Sequence, residues 1–359
     1  MNKAKLLLPE KGKMKQRILW ADILKWAGML LIYLGHLPVS ENTYLFIFAQ
    51  HVPLFFFAAG FFAAMTPKEG SFWAFLLKKI RSLLLPYVIF SFLTIIYMLI
   101  VRMYTFSDVP RMLLQTLFGI RNQTPAIQLW FLPCLFVISV FFEILKRIIR
   151  SRIFIAVIVI ALYVVGTFFL GHQPTNDPSW FWNVDSAFVY LLYYFLGALL
   201  FPFFRDWKYS RKKAGIKTLF WIFFLVSLGY EVFLLFQSVW LSGYLQQTLG
   251  QRLFQAANLI STFILLFFFV CFSRFLEKVP GVNRFLAYIG KGSLYLNGNE
   301  MIFKNLFSLL FGVLGIKQIV YGSDEMMLLF CFLLMVLLTF TVNLLEKLLF
   351  GKLFGDARR

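Results

Sequence analysis

Charge is what this sequence has least of. Only 14% of its 359 residues are Asp, Glu, Lys or Arg, about half the share found in soluble globular domains, so an ordinary soluble fold is excluded. Acidic residues are the scarcer sign, 16 against 35 Lys and Arg, which leaves a net charge of +19. In a soluble chain that excess would suggest a nucleic-acid partner. Here the cations fall in short segments between apolar runs, where they orient a membrane protein, and no nucleic acid is expected. Cysteine is rare too. Cys134, Cys271 and Cys331 each sit inside an apolar run, so neither a disulfide framework nor a Cys/His metal site is expected. Internal repeats and low-complexity tracts are absent. The longest outward loops, 102–127 and 172–183, are too short for a separate catalytic domain.

What remains is apolar, 60% hydrophobic and 20% aromatic. The apolar runs fall near 19–37, 44–65, 82–101, 128–146, 153–171, 184–204, 218–241, 253–275, 292–315 and 326–350. At 1.5 Å per residue each can cross a hydrocarbon core of about 30 Å, and helices are the spanning form that satisfies its own backbone. The expected fold is all-α: a polytopic membrane protein with about ten transmembrane helices and both termini cytoplasmic. A basic N-terminal segment, 1–18, precedes a ten-helix membrane domain, 19–350, and a cytoplasmic tail, 351–359.

Positive charge tests that count. With the N-terminus inside, only Arg102, Arg111, Arg121, Arg252 and Lys317 face outward, and Lys25 and Lys304 lie within spans. Every other Lys and Arg is cytoplasmic. A missed span would swap the sides beyond it and spoil the asymmetry. The first run follows basic residues, as in a secretory signal, but it carries Asp22 and Lys25 and lacks a small-residue cleavage site. It is expected to be a retained first helix.

Charges inside spans are costly and therefore mark function. The first helix carries Asp22 and Lys25, an i,i+3 pair, and ends in Gly35-His36. Eleven residues separate Lys25 from His36, so they share a face about 16 Å apart. The second run holds His51-Val-Pro53 and Gly60, and a cytoplasmic segment presents Lys78 and Arg81 at i,i+3. Two cations on one face suit an anionic ligand. Simpler readings stand beside these: Lys25 snorkelling to the surface, either histidine as a polar interfacial tip, and Lys78 and Arg81 as orientation signals. Glu300 and Lys304 form a neutralising i,i+4 pair. Asp185 and Glu231 fall at outer helix ends and are expected to be solvated, and Trp130 fits an interfacial aromatic belt.

These residues, taken in order, resemble the acyltransferase-3 family of membrane acyltransferases, especially its fucose O-acetylase-like branch. The likeness lies in Asp22…Lys25…Gly35-His36, His51-x-Pro53-x-Phe55-Phe56…Gly60 and Lys78-x-x-Arg81…Pro86, followed by Leu129-Trp130-Phe131-Leu132 and Ile289-Gly290-Lys291-Gly292-Ser293-Leu294-Tyr295. It covers most of the chain, and the ten-span count matches. The resemblance implies transfer of an acyl group, usually acetyl, from cytoplasmic acetyl-CoA or another acyl-CoA to a hydroxyl of an extracytoplasmic or lipid-linked carbohydrate. It places catalytic roles on His36 and Lys25, with Asp22 and His51 beside them, and coenzyme binding on Lys78 and Arg81. The family's Arg-x10-His and Arg-x-x-Arg patterns both begin with Lys here, which keeps the charge and loses the bidentate fork. Its Ser-Gly becomes Ala59-Gly60, and a His common after the Gly-x-x-Ser-Leu stretch gives way to Asn297-Gly-Asn-Glu300.

The expected mechanism uses His36 as general base, with an acyl-histidine carrier left open. A transporter or flippase of glycan intermediates is the rival reading, but it predicts paired discontinuous segments that the sequence does not show. A non-catalytic scaffold would need no polar stripe on the first helix.

Overall fold

The computed structural model describes residues 18–65, 70–170, 180–206 and 214–354. The basic N-terminal segment and the end of the C-terminal tail lie outside the described residues. Every regular element among those described is helical. Helices α1 (Leu19–Gly35), α2 (Glu41–Phe48), α3 (His51–Met65), α4 (Phe72–Lys79) and α5 (Leu85–Ile100) form the first half of the bundle with α6 (Val109–Phe118), α7 (Phe131–Ile148) and α8 (Arg152–Phe168). The second half contains α9 (Val184–Asp206), the long α10 (Ala214–Leu276), α11 (Val282–Lys291), α12 (Ser293–Val313), α13 (Lys317–Val320), α14 (Asp324–Phe340) and α15 (Val342–Phe350).

Each of the ten apolar runs is helical. Six stretches are long and apolar enough to cross a bilayer by themselves, and a seventh is gained if α14 and α15, bent by 40°, count as one span. The shortfall from ten has physical causes. Helix α8 is only 17 residues long. Helix α1 is equally short and carries Asp22 and Lys25, while α12 spends interior positions on Asn297, Asn299, Glu300 and Lys304. Within α10 the helix breaks at Gln237 and at Gly250, where φ is +69° and only glycine is at ease.

Local signals set many of the ends. Ser40, Ser71, Ser151 and Ser323 cap α2, α4, α8 and α14 by accepting backbone N–H bonds. Pro86 and Pro110 sit in the first turns of α5 and α6, where a missing N–H costs nothing.

Helix α8 shows how the bundle meets its surroundings. Ile153, Phe154, Val157 and Ile160 lie on one exposed stripe, whereas Ile155, Val159, Tyr163 and Gly166 are buried. Such a stripe would drive a soluble protein to aggregate and is what lipid covers. Lipid also removes the hydrophobic drive between helices, so close packing must hold them together. Helices α3 and α9 achieve it with paired glycines. A Cβ at Gly60 would lie 2.1 Å from the Tyr194 carbonyl oxygen, and one at Gly197 would lie 2.0 Å from that of Phe57. Aromatic rings fill the space alongside, with Phe56 stacked on Tyr190 at 4.6 Å and Trp20 against Phe61 at 5.2 Å.

Helix α1 is the hub, packed on α2, α3, α10, α11, α12 and α14. Two charges expected to be solvated are not. Asp185 and Glu231 are buried, and the Gln50 amide donates to Glu231 at 3.5 Å.

Candidate active site

His36 caps the C-terminus of α1, where the last turn frees its side chain from helical packing. The turn beyond it is pinned from across the bundle. Asp324, the first residue of α14, accepts bonds from the Ser40 backbone N–H at 2.9 Å, the Ser40 hydroxyl at 2.5 Å and the Thr43 hydroxyl at 2.5 Å. The imidazole keeps 40% of its surface exposed, and its Nδ1 stands 2.6 Å from Oε1 of Glu300. Glu300 is wholly buried on α12. The same oxygen accepts from Lys304 Nζ at 2.8 Å, one helical turn away.

The carboxylate is thus shared between an imidazole it orients and an ammonium that compensates its charge. Helices α1 and α12 are latched at two further points: Tyr33 donates its hydroxyl to the Leu296 carbonyl at 2.8 Å, and Lys304 reaches the Tyr33 carbonyl at 3.4 Å. The contact occupies Nδ1, so Nε2 is the ring nitrogen not engaged by Glu300. That arrangement, an imidazole oriented by a buried carboxylate, suits removal of a proton from a hydroxyl.

A profile of an acyltransferase domain matches residues 18–345. The chain belongs to the acyltransferase-3 family. Neither a curated protein nor a solved structure matches it. It is a membrane acyltransferase, and the rest of its candidate site is placed as follows.

Lys25 pairs with Asp22 at 2.7 Å, as the i,i+3 spacing implies, and its ammonium lies 5.6 Å from the centroid of the Phe62 ring. This acyltransferase keeps that pair apart from the His36–Glu300 contact, about 16 Å away by helical rise. Packing there is tight. A Cβ at Gly290 of α11 would lie 1.9 Å from the Asp22 carbonyl oxygen. His51 is buried, with Nδ1 2.8 Å from the Ile47 carbonyl and its ring edge-on to Phe48. One of its nitrogens is therefore committed to the backbone.

Lys78 and Arg81 are exposed on another wall of the bundle. Arg81 lies on a five-residue π-helical turn, Ile80–Leu84, that packs on α7. Inserting a wider turn re-aims the side chains around it, and such turns often occur at functional sites. The neighbouring cations of α7 are engaged. Glu143 pairs with Lys146 at 2.6 Å and Arg147 at 2.9 Å, and Arg147 also donates to the Gly70 carbonyl at 2.9 Å.

From the sequence Glu300 has only Lys304 as a partner, and the structure adds His36. The pairing with Lys304 is correct and incomplete.

Proposed function

We propose that this chain is an O-acyltransferase of the fucose O-acetylase-like kind. It would move an acetyl group from cytoplasmic acetyl-CoA to a hydroxyl of a cell-surface or lipid-linked carbohydrate, in a bacterial plasma membrane with both termini inside. The observation that carries this reading is the His36–Glu300–Lys304 contact, set within an acyltransferase domain.

A sugar hydroxyl is a weak nucleophile. His36 Nε2 takes its proton as the oxygen attacks the thioester carbonyl, and the carbon–sulfur bond then breaks. The proton passes from His36 to the departing thiolate, so the base is regenerated. Glu300 stabilises the transient imidazolium, and Lys304 compensates the charge of the buried carboxylate. Lys78 and Arg81 hold the coenzyme's phosphates at the inner mouth, and Lys25, balanced by Asp22, adds positive potential along the path. No resident cofactor or metal has a role in this scheme.

The test is to give purified protein in nanodiscs radiolabelled acetyl-CoA and a glycan acceptor. An O-acetyl ester on the glycan is the expected product. Glycan that crosses the bilayer unmodified would mean a flippase instead.

A further inference from the structure

The outward loop before α7 does not behave as a surface loop. Arg121, Thr124, Pro125, Ala126, Gln128 and Leu129 are buried, although the backbone there forms only two short 3-10 turns, Arg121–Gln123 and Ile127–Trp130. Irregular backbone inside a membrane bundle occurs where protein encloses it or where it lines a polar path. The loop is tied down at its edges. Asn183 donates its amide to the Gly119 carbonyl at 2.8 Å and to the Trp130 carbonyl at 3.4 Å, while Trp182 Nε1 donates to the Leu117 carbonyl at 2.9 Å. The Arg121 guanidinium lies 4.6 Å from the centroid of the Trp130 ring.

Between these ties, polar atoms are left over. Gln128 is 8% exposed, yet neither its amide oxygen nor its amide nitrogen has a hydrogen-bond partner among the described residues. The Thr124 hydroxyl and the Asn183 amide oxygen share that condition. Burying such groups unpaired is costly, and native proteins rarely tolerate it. Three such atoms on residues 124–128, with a fourth on Asn183, point to a partner that is not part of the fold.

The segment's neighbours suggest which partner. The Ile127–Trp130 turn packs on α12, the helix that carries Glu300. The next residue, Phe131, meets Phe55 at 5.7 Å, and Phe55 fills the notch at Gly28 of α1, the helix that ends on His36. The turn, α1, α3 and α12 therefore enclose one region of the bundle. By the distribution of positive charge the turn lies on the outward side, opposite Lys78 and Arg81.

We propose that this turn, with Gln128 at its centre, is the subsite that recognises the sugar acceptor. The inference rests on the acyl-transfer reading above. A carboxamide offers a donor and an acceptor on one plane, which matches a pair of sugar hydroxyls. Thr124 adds a further hydroxyl. The role is recognition and not chemistry.

The experiment uses the full chain in detergent, hexopyranoses and their single-deoxy analogues as probes, and thermal unfolding as the readout. At least one hexopyranose should raise the wild-type midpoint, and the analogue lacking one hydroxyl should not. Gln128→Met removes the unpaired amide at nearly constant volume. It should raise the midpoint without sugar and erase the sugar-dependent rise. In acetyl transfer it should increase acceptor KM at least about tenfold, the loss expected for two hydrogen bonds, with no matching change in donor KM. Gln128→Asn, which keeps the amide but withdraws it by one methylene, should fold and also lose the sugar response. Wild-type indifference to every hexopyranose would overturn the subsite, as would an undiminished response in both variants. Ester formation in wild type with unchanged acceptor KM in the variants would remove the subsite and leave the acyl-transfer reading standing. A Gln128-dependent sugar response without any ester would do the reverse.

Discussion

His36 and Glu300 are 264 residues apart in sequence and meet at 2.6 Å. The contact joins the end of α1 to the interior of α12 and orients the imidazole. Replacing Glu300 by Gln keeps the shape and removes the charge that balances imidazolium. Transfer should slow by about 10²–10⁴-fold, the range a positioned base contributes, with donor KM little changed. Steady-state kinetics on the purified variant checks this, and a rate within about threefold of wild type would remove Glu300 from the mechanism.

Lys304 has a separable role. Its side chain is 8% exposed, and its ammonium bonds the buried carboxylate at 2.8 Å. Lys304→Met leaves that charge undercompensated and should destabilise the protein by about 3 kcal/mol. The double variant Glu300→Gln/Lys304→Met should recover most of the stability and none of the activity. Denaturant unfolding in mixed micelles, read beside the transfer rate, separates the two effects.

Lys78 and Arg81, at the turn between α4 and α5, should act on the donor alone. Lys78→Ala and Arg81→Ala should each raise acetyl-CoA KM severalfold, more steeply at low salt, where exposed charges are least screened. Initial rates at two ionic strengths decide it, and unchanged donor kinetics in both variants would end the phosphate role.

At the crossing of α3 and α9, backbone meets backbone. Gly197→Ala would place a methyl group 2.0 Å from the Phe57 carbonyl oxygen, so the helices must separate. We expect a loss of about 3 kcal/mol and a lower thermal midpoint. The same change at Gly229, where a Cβ would meet nothing within 4 Å, should be nearly neutral or slightly stabilising and serves as the control.

Much of this architecture was legible in the residues, for stated reasons. Long apolar runs became helices because lipid leaves the backbone no alternative. The Asp22–Lys25 pair followed from i,i+3 spacing within one helix, and so did Glu300–Lys304 at i,i+4. The His36–Glu300 bond was out of reach, since no local period relates positions on two different helices. The burial of Arg121, Asp185 and Glu231 was hidden for a related reason. A charge near a helix end has the same sequence appearance whether it meets water or folds under a neighbouring loop. Trp130 is half-buried beneath Arg121, a contact between two elements that the sequence does not show.

The most direct measurement places donor and acceptor on opposite sides of the membrane. Proteoliposomes would hold labelled acetyl-CoA on the side of Lys78 and Arg81 and glycan on the other, with wild type compared to His36→Ala. Wild type should form acetyl ester on the glycan, with a yield about 10²–10⁴-fold lower for equally inserted His36→Ala. Equal ester yield from the two proteins would contradict the role of His36.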